Sequence, residues 1–201
     1  MKVGVLGGTF DPIHSGHLKI AEEVMAVLRL AKVIFVPAGQ PWLKADSPIT
    51  PVKHRVEMVR LAIAGRAAFE LSLVDIERPG PSFTIDTVED LRKRLGDEAE
   101  LYFIVGRDSL AQMPQWKDAG RLVKMCRLVV VPRPGWEMPD LEKLEELIPG
   151  ISQSLISLDK PEIDISATDV RRRAAEGLSL RGLVPEAVAD YIKRHKLYLK
   201  G

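Results

Sequence analysis

The stretch VGVLGGTFDPIHSGHLKIAEEVMAVL, residues 3–28, decides the fold because it holds three patterns in succession. Val3 to Leu6 is a short apolar run, Gly7 to His17 is rich in glycine and polar groups, and Leu18, Ala21, Val24, Met25 and Leu28 recur at the spacing of one buried helix face. A strand that runs through a tight loop directly into a helix is the opening of a β-α-β unit. The chain then repeats it. Apolar runs at Val33 to Val36, Phe69 to Val74, Leu101 to Val105 and Leu128 to Val131 are each short enough for a strand buried on both faces. Between them, Val52, Val56, Val59 and Ile63, and later Ile85, Val88, Leu91 and Leu95, mark helices. This alternation predicts a doubly wound α/β fold, a parallel sheet with helices on both faces and right-handed crossovers. In such a fold ligands gather at the carboxyl ends of the strands, which directs attention to the loops after Leu6, Val36, Val74, Val105 and Val131.

From Ile165 onward the pattern becomes two helices with no strand between them. Ser166 and Asp169 have the spacing of a capping box, and Pro185 suits the first turn of the last helix. The predicted organisation is one domain, an α/β core over residues 1–164 and a helical appendage over 165–201 that closes over the sheet edge. Composition narrows the partners. The 201 residues, 46% hydrophobic and 28% charged, can bury a full core, and 29 basic against 28 acidic side chains leave no broad field for a nucleic acid. An anionic ligand must then be held locally. Cys126 is the only cysteine, which excludes a disulfide within the chain and a cysteine-rich metal site, and its place beside a strand predicts a buried, inert thiol. No run approaches 18 uncharged apolar residues, and the N-terminus opens in a strand and not a signal peptide. The expectation is a soluble, cytoplasmic protein with no membrane partner.

The loop GGTFDPIHSGHL, Gly7 to Leu18, reads as a phosphate cradle. Its glycines let backbone amides approach an anion, and the following helix adds the partial positive charge of its N-terminus. It is neither a dinucleotide fingerprint, because Gly4, Gly7 and Gly8 do not follow G-x-G-x-x-G, nor a P-loop, because no G-K-[ST] follows. His14 and His17 stand three apart at the helix mouth, so both rings can face one bound anion. A helix cap plus a packed histidine is the plainer alternative. A metal pair would need a third ligand that the spacing does not fix, so no metal site is expected. His54 and His195 lie in amphipathic helices without a partner motif and read as structural.

These H-x-G-H residues, and the later run ISATDVR from Ile165 to Arg171, resemble the two signatures of the HxGH nucleotidyltransferase superfamily. PSFT at Pro81 to Thr84, GRDSLAQMPQW at Gly106 to Trp116, PRPG at Pro132 to Gly135 and the tail VPEAVADYIKRHKLY are similar to bacterial nicotinate mononucleotide adenylyltransferases. The resemblance spans nearly the whole chain. It implies a Rossmann-like core and transfer of AMP from ATP to nicotinate mononucleotide, giving nicotinate adenine dinucleotide and pyrophosphate in NAD biosynthesis, with Mg²⁺ accompanying ATP. It also implies the site. Gly7, Gly8, Thr9, Phe10, His14 and His17 would surround the ATP phosphates, with His14, His17 and Arg171 catalytic. Ser166, Thr168 and Arg171 would hold the departing phosphates. Gly106 and Asp108 would meet the ribose, although Asp108 also suits a helix cap. Lys44, Phe83, Thr84, Trp116 and Arg133 would bind the mononucleotide, Trp116 by stacking and the helix start at Phe83 and Thr84 by meeting the carboxylate.

Two departures stand out. Where the family often carries P-P-H-K, this chain has Pro41, Trp42, Leu43 and Lys44, and Ala167 replaces a serine of the second signature. Three rival readings fit less well. A phosphopantetheine adenylyltransferase resembles a shorter chain with T-x-G-H and without the PSFT and PQW segments. A nucleotide sensor has no need of groups aimed at transition-state charge, and a tRNA-charging enzyme calls for a longer chain with a basic RNA face. A homo-oligomer is compatible with the reading.

Overall fold

The computed structural model describes residues 1–42 and 48–199. Five strands fall on the five apolar runs: β1 Lys2–Gly8, β2 Lys32–Pro37, β3 Phe69–Leu71, β4 Glu100–Gly106 and β5 Arg127–Val131. A sixth, β6 Leu155–Ser157, is only three residues long, too short and too exposed to stand out as an apolar run. The sheet order is β3-β2-β1-β4-β5-β6, and every pairing is parallel. The order reverses between β1 and β4. A crevice therefore opens beyond the carboxyl ends of those two strands, the place where open α/β sheets bind ligands.

Alternate residues along each strand feed two cores. Val33 and Phe35, Tyr102 and Ile104, and Val129 and Val131 face one side; Ile34 and Val36, Phe103 and Val105, and Leu128 and Val130 face the other. The first side is covered by α1 Ser15–Leu28 and α2 Val52–Ile63, whose Leu18, Ala21, Val24, Met58 and Val59 are buried there. The second is covered by α3 Val74–Glu77, α4 Thr84–Leu95, α5 Arg107–Ala111 and α6 Ala119–Met125, through Val74, Ile85, Val88, Leu110 and Leu122. Two further helices, α7 Leu141–Leu147 and α8 Ile151–Ser154, lead to β6.

Two expectations need correction. The third apolar run does not stay in the sheet to Val74: the strand ends at Leu71, and Val74 begins α3, where it is buried under the second face. Apolar character is shared by a strand and by the buried side of a helical turn, so the run conceals the break. The tail forms the expected pair, α9 Ala167–Ala175 and α10 Glu186–Arg194, but it is built into a core and is more than an appendage. Val170, Val188 and Ile192 belong to the core on the α1 and α2 face, and His54 Nδ1 of α2 is hydrogen-bonded to Tyr191 Oη of α10 at 2.9 Å. Cys126 is buried, and burial pushes its thiol up to about 12, which keeps it in the unreactive neutral form.

Candidate active site

The loop after β1 is shaped by close approaches. A Cβ on Gly7 would lie 3.2 Å from the Phe103 ring, and one on Gly8 would lie 3.1 Å from the Phe10 ring. Phe10 itself takes φ of 49°, in the left-handed region, while its ring is buried. The chain then enters α1 with His14 as N-cap. The glycine of H-x-G-H has a steric reason. A Cβ on Gly16 would come within 2.6 Å of Ile163 Cγ2 and 3.0 Å of His14 Nδ1.

The two histidine rings stack, with centroids 3.7 Å apart and planes inclined by 26°. The His14 backbone N–H donates to His17 Nδ1 at 3.1 Å, so in neutral His17 the ring proton is assigned to Nε2, leaving that N–H as a donor. His14 is 4% exposed. Burial, and next the Arg133 cation, lower its pKa to about 4, so it is neutral at pH 7 and does not repel its stacked neighbour. Arg133 lies in the loop after β5, bridged to Trp136, and its charge is felt at His14.

Arg171 reaches the cradle from α9. Its Nη1 donates to the Asp11 carbonyl at 2.7 Å and its Nη2 to Thr168 Oγ1 at 3.3 Å. Ser166 is the N-cap of α9, its Oγ accepting from the Asp169 N–H at 3.1 Å, which is one half of the expected capping box. The other half is diverted, because the Asp169 carboxylate pairs with Arg172. At the end of β4, Gly106 and not Asp108 is the N-cap of α5. Asp108 makes no cap bond; instead its Oδ1 sits where a Cβ on Gly106 would be, at 2.3 Å. The carboxylate thus folds over the crevice end of β4.

The second wall is aromatic. Phe83 is the N-cap and Thr84 the first residue of α4, so the first amides of that helix have no intrahelical acceptor. The Trp42 ring lies 5.9 Å from that of Phe83, Lys117 Nζ lies 5.0 Å from the Phe83 centroid, and Trp116 meets Phe103 edge to face at 6.5 Å. Lys117 is held there by Asp86 at 2.9 Å. Trp116 Nε1 is buried and has no hydrogen-bond partner among the described residues. Ser82 ties this wall to the loop after β2, its Oγ accepting from the Gly39 and Gln40 N–H groups at 2.9 and 3.2 Å. Lys44, the remaining expected contact, lies outside the described residues.

With this geometry in place, comparison with known proteins identifies the family. Residues 5–173 match the cytidylyltransferase-like family model. The chain is 50% identical over 198 residues, 98% of its length, to a Dehalococcoides mccartyi protein named "Probable nicotinate-nucleotide adenylyltransferase", of which 97% is covered. A Roseiflexus protein of the same name is 47% identical, with 98% of this chain and 97% of the relative covered. The chain belongs to the nicotinate-nucleotide adenylyltransferase family. A solved Plasmodium falciparum nicotinic acid mononucleotide adenylyltransferase, complexed with NaAD, shares the fold with a TM-score of 0.78 at 19% identity, over 98% of this chain and 97% of the other.

In this adenylyltransferase two buried charged residues that carry no motif brace the loops around the crevice. Arg55, inside α2 and 2% exposed, donates from Nη1 to the Thr9 and Ala38 carbonyls at 2.7 and 2.8 Å, from Nε to Thr50 at 3.0 Å and from Nη2 to Gly39 at 3.3 Å. Its only trace in the sequence is a charge on the buried stripe of its helix, three before Met58 and four before Val59. Asp75 is likewise buried. It accepts from Arg78 Nη2 at 2.7 Å and from Thr87 Oγ1, fixing the first turn of α4 behind Phe83. Burial raises its pKa, while the Thr87 and Arg78 bonds favour the ionised form.

Proposed function

We propose that the crevice between β1 and β4 carries out adenylyl transfer through the residues just described. The reaction is transfer of AMP from ATP to nicotinate mononucleotide, the step of NAD biosynthesis that yields nicotinate adenine dinucleotide and pyrophosphate. The observation that carries the assignment of roles is the meeting of Arg171 with the two-histidine cradle, since it gathers donors from both ends of the chain around one anion site. A phosphate monoester has its second pKa near 6. The attacking oxygen is therefore already ionised at neutral pH and needs no general base.

One bond forms between that oxygen and the α-phosphorus while the bond from the α-phosphorus to the bridging oxygen breaks, and the electron pair leaves with pyrophosphate. What remains for the protein is alignment and neutralisation of charge. The His17 Nε2–H serves the α-phosphate, and the Thr9 and Phe10 backbone with neutral His14 shape the phosphate path. Arg171, Ser166 and Thr168 serve the departing phosphates. Gly106 and Asp108 face the ribose, and Phe83, Thr84, Trp116 and Arg133 form the mononucleotide side. Mg²⁺ accompanying ATP would supply further positive charge to the phosphates beside His17 and Arg171. The lone cysteine and a reaction that consumes ATP suit the cytoplasm, and a homo-oligomer remains compatible with the exposed Trp136 and Leu147. The test is pyrophosphate release with ATP, Mg²⁺ and each acceptor in turn. Turnover with phosphopantetheine and none with nicotinate mononucleotide would overturn the assignment.

A further inference from the structure

Asp11 lies in the cradle loop at 7% exposure, and all three of its oxygens are engaged. Its Oδ2 accepts from the Thr50 N–H at 3.1 Å, its carbonyl accepts from Arg171 Nη1 at 2.7 Å, and its Oδ1 accepts from Tyr198 Oη at 2.7 Å. Tyr198 comes from beyond the last helix, 187 positions away in sequence. The chain bends sharply to deliver it. Lys196 and Tyr198 take φ of 51° and 66°, a left-handed conformation that side chains other than glycine rarely adopt and that persists only where the surroundings enforce it. The ring packs against the core on the α1 and α2 face. Burial, and then the Asp11 charge, push the phenol well above its usual range, so it stays a donor at every working pH.

We propose that Tyr198 is a positioning residue for adenylyl transfer: its hydroxyl fixes the Asp11 carboxylate, and Asp11 in turn holds Arg171 through its carbonyl at the phosphate site. Arg171 is thereby gripped by a residue that is itself pinned on two other sides. Without the Tyr198 hydroxyl, the Asp11 side chain keeps only Thr50, and the carbonyl that orients the guanidinium loses its fixed direction. The effect should reach the phosphate end of the site and spare the mononucleotide wall, which is built from α4 and the loop after β4. This inference rests on reading Arg171 as a phosphate-binding residue.

Tyr198→Phe removes one oxygen and keeps the ring. In the full chain, with pyrophosphate release followed while ATP and nicotinate mononucleotide are varied in turn, it should lower kcat about tenfold and leave the KM for the mononucleotide within about twofold. Leu197→Ala is the companion variant, because it loosens the packing of the same segment and keeps the hydroxyl; it should lower the melting temperature and leave kcat within about twofold. Arg171→Ala and the Tyr198→Phe, Arg171→Ala double variant complete a cycle, in which the double variant should be no slower than Arg171→Ala. Wild-type kcat in Tyr198→Phe beside an impaired Arg171→Ala overturns the positioning role and leaves the phosphate reading standing. Wild-type kcat in Arg171→Ala overturns the phosphate reading itself. An equal loss of kcat in Leu197→Ala and Tyr198→Phe also overturns the proposal, since it would make the segment a general stabiliser.

Discussion

Replacing Arg55 with methionine should be among the most damaging single changes outside the reacting groups. Methionine fills much of the same volume but leaves the carbonyls of Thr9, Ala38, Gly39 and Thr50 without their shared donor. Hydrogen bonds to a charged group are each worth about 1.5–3 kcal/mol, so four bonds give a gross figure of roughly 6–12 kcal/mol. Desolvation opposes them, as the lowered Arg55 pKa shows. Breaking one side of a buried charged network has a net cost of about 3–5 kcal/mol, and the desolvation term favours that figure over the gross sum. In a domain of this size each kcal/mol moves the melting temperature by about 2–4 °C, so a fall of roughly 6–20 °C is expected. Thermal melting followed by circular dichroism measures it. A fall below about 3 °C would show that the four bonds are compensated elsewhere, and that Arg55 does not unite the cradle with the loop after β2.

His17→Ala should lower kcat by about a hundredfold or more while the KM for ATP stays within a few fold, because the Nε2–H acts on charge that develops only in the transition state; normal kcat would remove His17 from the mechanism. Folded His14 has a pKa of about 4 against 6.5 for a free ring, so between those values the unfolded chain binds a proton that the folded chain refuses. Stability should therefore fall by up to about 3 kcal/mol as the pH drops from 6.5 to 4, and His14→Asn should flatten that part of the denaturation curve; an unchanged slope refutes the burial argument. The open amides at the start of α4 favour a carboxylate, whereas a carboxamide also presents N–H donors to them. Since an unsatisfied buried donor costs about 1–3 kcal/mol, kcat/KM should favour nicotinate over nicotinamide mononucleotide at least tenfold. Equal values would leave the activity standing and refute the helix-start reading of Phe83 and Thr84.

The sequence discloses what is local. Five strand positions, the cradle and the capping serine of α9 are each written within a dozen consecutive residues, by apolar runs, glycines or the spacing of a cap. What it hides is local in space and distant in the chain. Arg55 is only a charge on the buried stripe of its helix until the loops after β1 and β2 and the turn before α2 bring four carbonyls to it, and Tyr198 looks like the end of an amphipathic tail until its hydroxyl meets Asp11. Asp75 follows directly on the run Phe69 to Val74 that reads as strand, so its place behind α4 could not be seen. Asp108, which suits a cap as well as a ribose contact, does not take the cap: Gly106 does, and the Asp108 carboxylate lies beside the end of β4.

The two bonds that converge on Asp11 span 160 and 187 positions, and this gives the catalytic centre a birth order. A ribosome adding about 5–20 residues per second needs roughly 10–40 s to travel from Asp11 to Tyr198. For most of that interval the nascent chain carries its glycine loop and both histidines without Arg171, and Tyr198 follows last. If Tyr198 steadies Arg171 as proposed, competence comes late, when the segment after α10 docks against Asp11. A chain cut after α10, by a protease or a premature stop codon, keeps every residue of both signature motifs and lacks the hydroxyl that links the end of the chain to its beginning.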